Sequence, residues 1–68
     1  MIVAVNGADT ELADGATVAG VLAELDVPTS ARGVAVAVQG EVVPRGEWVT
    51  TSLHDGDRVE VLSAIQGG

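Results

Sequence analysis

This chain of 68 residues predicts an α+β domain, with one main helix laid across one face of a mixed sheet. Three observations carry that expectation. The chain opens on an apolar, partly β-branched run that breaks at Asn6-Gly7, a pair suited to a tight hairpin turn because both residues tolerate φ > 0. One segment has helical apolar spacing: Val18, Val21, Leu22 and Leu25 fall at i, i+3, i+4 and i+7. Beyond it the pattern changes to period two, in Val34-Ala35-Val36-Ala37-Val38 and again in Arg58-Val59-Glu60-Val61-Leu62.

Each element has a local reason. Met1 to Val5 reads as the first strand and Thr10-Glu11-Leu12 as a short second one, broken by Asp14-Gly15. Thr17 stands just before the apolar stripe, where its hydroxyl can accept from a backbone N–H of the first turn, so it is the expected helix N-cap. Gly20 weakens that helix by roughly 1 kcal/mol relative to Ala, which makes it depend on packing against the sheet. Pro28 ends the segment by disfavouring the helical region for Val27. Gly33 opens a second β region, with Val34, Val36 and Val38 on one face and only the methyls of Ala35 and Ala37 on the other. Gln39-Gly40 turns the chain, Glu41-Val42-Val43 returns as partner strand, and Pro44 stops it by removing a ladder donor. Trp48 falls in the irregular stretch that follows, as a lid over one end of the core. Asp55-Gly56-Asp57 turns the chain once more, and Val59 and Val61 of the final strand face the helix. The order is β-β-α-β-β-β, with first and last strands expected as neighbours mid-sheet and the C-terminal end projecting beyond it. Residues 1–66 make one domain and Gly67-Gly68 a flexible tail.

Composition narrows the function classes. A domain this small buries only about 60% of the surface its unfolded chain exposes. Without cysteine, neither a disulfide nor a thiolate metal site supports it, so aliphatic packing must. Ten acids against three arginines give a formal charge of −7. Such a surface repels a phosphate backbone, which disfavours nucleic acid, and suits either a basic docking face on a protein partner or plain solubility. Met1-Ile2-Val3-Ala4-Val5 has no basic start and is too short to span a membrane, so a cytoplasmic protein, a monomer on its own, is expected. No lysine is present, which excludes lysine-linked chains of this protein.

The side chains offer little chemistry. His54 has only the turn acids Asp55 and Asp57 beside it, and reads as an exposed loop residue rather than a metal ligand or base. No metal-ligand set and no phosphate-loop pattern occur. Arg45 and Arg58 are either solvated or in contact with a partner or its ATP; Trp48 is either core or interface. Leu62, Ala64 and Ile65 either touch a partner or cap the core. The remaining reactive group is the carboxylate of Gly68: a Gly-Gly end has no Cβ to obstruct it and can thread a narrow channel into another protein's active site. Ordinary terminal fraying is the competing explanation of that pair.

Several segments together resemble the bacterial sulfur carriers of thiamine thiazole synthesis, the ThiS family. They are Val3-Ala4-Val5-Asn6-Gly7, Val42-Val43-Pro44-Arg45-Gly46-Glu47-Trp48, Asp55-Gly56-Asp57 and Ile65-Gln66-Gly67-Gly68. The likeness covers essentially the whole chain, whose length agrees with a stand-alone carrier. Val-Pro-Arg followed by Trp is the discriminating piece; the small subunit of molybdopterin synthase also ends in Gly-Gly but usually has aromatic and Pro-rich residues before it, where this chain has Leu62-Ser63-Ala64-Ile65-Gln66.

The resemblance implies the β-grasp, or ubiquitin-like, fold and a carrier rather than an enzyme. It implies that an E1-like adenylyltransferase uses ATP and Mg²⁺ to adenylate Gly68, that a persulfide donor converts the adenylate to a thiocarboxylate, and that thiazole synthase takes the sulfur. No cofactor is implied on the carrier itself. Gly67 belongs to the tail, and Leu62, Ala64, Ile65, Gln66, Arg45 and Trp48 are the candidate partner-binding residues. A carrier for molybdopterin, a protein modifier joined to lysines of its targets, and a ubiquitin-like interaction module stay open beside it, because they share the fold.

Overall fold

Among the described residues, five strands and one α-helix follow one another as β1 (Ile2–Val5), β2 (Ala8–Glu11), α1 (Val18–Glu24), β3 (Val34–Val38), β4 (Glu41–Val43) and β5 (Arg58–Ser63), with a 3-10 turn at Arg45–Glu47. They are seen in a computed structural model that describes residues 1–28 and 32–63. The sheet order is β2-β1-β5-β3-β4. β1 and β5 run parallel, with Ala4 opposite Arg58 and Val5 opposite Val59; every other pair is antiparallel. The first and last strands are therefore neighbours inside the sheet, as the element order predicts, and β5 is the central strand.

Strand alternation divides the sheet. Val3 and Val5 of β1, Val36 of β3, and Val59 and Val61 of β5 are buried on the helix side, in one core with Val18, Val21 and Leu22 of α1. Leu12, Trp48 and Leu53, all outside the strands and the helix, complete that core. The helix begins where expected. Thr17 has extended backbone angles, and its Oγ1 accepts from the Gly20 N–H at 3.3 Å. The next orphan donors are met from outside: Val18 N–H donates to the Thr51 carbonyl (3.1 Å) and Ala19 N–H to the Trp48 carbonyl (2.9 Å).

Three details depart from the sequence expectation. The second strand is Ala8–Glu11 rather than residues 10–12, because Asn6 (φ 51°) and Gly7 (φ 84°) close a two-residue loop and pairing resumes at once, Val5 opposite Ala8. Leu12 lies just past the strand, buried. Leu25 does not join the apolar stripe; it is 42% exposed and caps a helix that ends at Glu24. The stop is not Pro28. Asp26 adopts φ 59°, its N–H donates to the Ala23 carbonyl, and Val27 N–H reaches back to the Leu22 carbonyl at 2.8 Å. That is a Schellman ending with aspartate in the left-handed position usually held by glycine, and it turns the chain before the proline can act.

Candidate functional site

Of the two roles the sequence leaves open, Trp48 takes the core one in this fold. It stands at the end of the 3-10 turn, 2% exposed, with Nε1 donating to the Val43 carbonyl at 3.0 Å. Pro44 has no ladder donor and ends β4, and the turn then folds the indole back under the strand just left. The Arg45 guanidinium carbon lies 4.5 Å from the ring centroid, so Arg45 stacks as a cation on the indole. The Pro-Arg-x-x-Trp block is thus a corner device: the indole fills the core, the Trp48 carbonyl caps α1, and the ring supports Arg45. Trp48 thus offers a partner almost no accessible surface, while Arg45, itself exposed, stands at the rim of the corner.

The Asp-Gly-Asp turn is equally structural. Asp55 Oδ1 accepts from the Ile2 N–H at 2.7 Å, Gly56 N–H donates to the Ile2 carbonyl at 2.8 Å, and Asp57 Oδ2 accepts from the His54 N–H at 2.8 Å. These bonds tie the turn to the start of β1 and aim β5 into the middle of the sheet. His54 is exposed, with Asp57 Oδ2 3.7 Å from its Nδ1. Among the described residues no group of three or more potential ligands could hold a metal, and no polar or charged side chain is buried.

Leu62 is the one partner-binding candidate in the apolar group that the described residues include; it is 70% exposed on the open face of β5. Opposite it on β3 lies Ala35, and Val42, 73% exposed, lies opposite Ala37. With Glu60 they line a shallow depression of about 70 Å³ on that face. The pairing register puts Asp9 beside Ala4 and Glu11 beside Ile2 on the same face of β1 and β2. The open face thus runs from acidic at β2 to apolar at β3 and β4. Arg58 is exposed at the start of β5, away from the Leu62 end. Ala64, Ile65, Gln66, Gly67 and Gly68 lie outside the described residues.

Two residues that sequence reasoning passed over hold β5 in place. The Gln39 carboxamide oxygen accepts from the Arg58 N–H, and the Asn6 carboxamide bonds to both main-chain groups of Val61. Each is the first residue of a two-residue hairpin turn with positive φ, and each precedes glycine. An amide side chain at that place in both turns was the available signal.

What the site adjoins is the strand that leads to Gly68. The ThiS family model matches residues 2–68. The chain belongs to the ThiS family. Over 58 residues it is 34% identical to the sulfur carrier protein ThiS of Escherichia coli, spanning 85% of each chain. It is also 34% identical, over all 68 residues, to part of a thiazole synthase of Paramagnetospirillum magneticum, and spans 20% of that protein's length. Among solved structures it is similar to the thiamine biosynthesis protein ThiS of Geobacter metallireducens, at 36% identity and a TM-score of 0.80 over the whole of this chain. The match covers all of that protein in its crystal structure and 88% in its solution structure. The expected ThiS-like, β-grasp α+β fold is borne out.

Proposed function

We propose that this chain is a sulfur carrier for thiamine thiazole synthesis, with the carboxylate of Gly68 as the atom group that is charged and discharged. The observation that carries the reading is the family match, which runs through Gly67-Gly68. The E. coli relative that is itself a sulfur carrier and the relative that is a thiazole synthase support it. In this reading the protein acts as a co-substrate and its partners supply the catalysis.

A carboxylate is ionised at neutral pH and is a poor electrophile. Attack of its oxygen on the α-phosphate of ATP expels pyrophosphate and gives an acyl-adenylate. The activating E1-like enzyme, with Mg²⁺, carries out that step. The terminal sulfur of a persulfide donor then displaces AMP at the acyl carbon to give an acyl disulfide. A thiol cleaves its S–S bond, becoming a disulfide with the donor and releasing the terminal thiocarboxylate, which thiazole synthase consumes to return the carboxylate. Glycine at positions 67 and 68 keeps the path to that carbonyl free of a Cβ. The apolar depression at Leu62, Ala35, Ala37 and Val42 serves as the docking handle, and the acidic flank of β2 steers a basic partner toward it.

Intact-mass measurement after incubation with ATP, Mg²⁺, an E1-like enzyme and a sulfur source tests the reading. The expected product has one sulfur in place of one oxygen, and reverts when thiazole synthase and its substrates are added. Deleting Gly68, or extending the chain past it, abolishes both adenylate and thiocarboxylate while the fold survives. A thiocarboxylate consumed by molybdopterin synthase and untouched by thiazole synthase moves the protein to that pathway. Lysine-linked adducts on other proteins reject carriage as the main role.

A further inference from the structure

We propose that Asn6 is a positioning residue for the C-terminal strand: its carboxamide fixes the exit of β5 and so sets how readily the chain is presented to the activating enzyme. This rests on the carrier reading and deepens it.

The geometry begins in the parallel ladder between β1 and β5. Ala4 N–H donates to the Asp57 carbonyl and Asn6 N–H to the Val59 carbonyl, each at 2.9 Å. In a parallel ladder the next bond on β5 would run from the Val61 N–H to the main-chain carbonyl of Asn6. Asn6 has already turned to φ 51° to start the hairpin into β2, and its main chain leaves the ladder. Its side chain takes over. Oδ1 accepts from the Val61 N–H at 2.8 Å and Nδ2 donates to the Val61 carbonyl at 3.2 Å. The carboxamide thus stands in for one more peptide unit of β1, and lengthens the grip on β5 by a residue.

The position of that grip matters. The N–H and carbonyl of one strand residue point to the same edge, so both main-chain groups of Val61 on the β1 side are met by Asn6. Past Val61, β1 supplies nothing more, and β3 alone holds Leu62 and Ser63, opposite Ala35 and Val34. Val61 is therefore the last residue of β5 bonded on the β1 edge, two residues before the strand ends and seven before Gly68. Gln39 makes the matching bond at the other end of the strand, to the Arg58 N–H, where no tail follows. Asparagine is suited to the post because it tolerates the left-handed region and carries both a donor and an acceptor.

When the carboxamide is removed, the end of β5 opens more often, and the form that docks is a smaller fraction of the population. Apparent affinity falls by that fraction, whereas the chemistry at Gly68 does not change. Asn6→Gly isolates the effect, since glycine accepts the positive φ and removes only the side chain. Two measurements are made on it: amide hydrogen exchange, and the kinetics of pyrophosphate release with ATP, Mg²⁺ and an E1-like enzyme. The expected result is faster exchange at Val61, Leu62 and Ser63 with Val3, Val21 and Val36 protected as before, and about a tenfold rise in KM for the carrier at unchanged kcat. Asn6→Asp, which keeps the acceptor for the Val61 N–H and loses the donor, falls between the two. Exchange at Val61 equal to wild type, or a wild-type KM, in Asn6→Gly overturns the proposal; if that variant does not fold, Asn6→Asp decides by the same two criteria. A wild-type chain that is not adenylated at all overturns the carrier reading, an outcome visible before any variant is compared.

Discussion

The two sides of the sheet are built from the same five strands and do different work. On the helix side Val3, Val5, Val36, Val59 and Val61 pack with Val18, Val21, Leu22 and Trp48 into the core. On the open side Ile2, Val42 and Leu62 stand in solvent, Ala35 and Ala37 keep β3 low, and Asp9 and Glu11 border the surface. Along β5 the contrast recurs at every step: Val59 and Val61 are buried while Arg58, Glu60 and Leu62 are exposed. The difference teaches that stability in this chain is supplied by one face only. The other face is largely exposed and presents acids at β2 and an apolar patch at β3 and β4. A domain of this length has on the order of 3–10 kcal/mol of stability, so the buried face tolerates little loss.

The sharpest way to break the comparison is on the buried side. Trp48→Ala removes a core-filling ring, the bond to Val43, and the platform for Arg45, and is expected to cost about 3–5 kcal/mol. Circular dichroism under urea, which needs no tryptophan signal, is the measurement. A midpoint close to wild type would mean that the corner does not support the core. On the open side Leu62→Asp is expected to change stability by less than about 0.5 kcal/mol yet weaken association with the activating enzyme by about 10- to 100-fold. Calorimetric titration beside the same urea curve separates the two effects. Loss of fold and binding together would erase the division of labour between the faces.

A smaller effect tests the helix that covers the buried face. A Cβ on Gly20 would meet nothing nearer than 3.9 Å, so Gly20→Ala is expected to stabilise the chain by about 0.5–1 kcal/mol, seen as a higher urea midpoint at unchanged slope. A fall instead would show that the helix gains nothing from a better helix former at this position. The smallest effect concerns the charge of the open face. Stopped-flow association with the activating enzyme is expected to slow severalfold as salt shortens the screening length from about 30 Å at low salt to about 8 Å. A flat profile would leave the acids as a solubility device.

Much of the fold was legible because its signals are local. Asn6-Gly7, Gln39-Gly40 and Asp55-Gly56 are turns for the backbone reasons that predict them, and Thr17 caps the helix it precedes. Leu25 misled because apolar spacing continues past Glu24 whereas the helix does not; the left-handed turn at Asp26 interrupts it without a glycine to announce it. Leu53 escaped notice since a lone leucine between polar residues has no period, yet its N–H bonds to the Ala16 carbonyl and its side chain is buried. Of the candidate site, Leu62 was left open between partner contact and core cap, and the strand register that exposes it decides against the cap; Trp48 was legible as an important residue, but which of its two roles it takes was not.

By itself, then, the sequence determined the element order, the apolar face of β3 and of β5, the turns, and the family likeness borne by Val42 to Trp48 and the Gly-Gly end. Each of these depends on side chains a few residues apart. Only the tertiary structure decided that the Pro-Arg-x-x-Trp block is a core corner, that the open face carries Asp9 and Glu11 on β2 and an apolar patch at Ala35, Ala37, Val42 and Leu62, and that Asn6 grips Val61. Those facts join residues up to 55 positions apart, and a contact at that separation is set by how the strands order themselves in the sheet. No local spacing encodes it. A carboxamide beside a glycine says only that a turn is near; which strand it meets depends on the parallel pairing of β1 with β5.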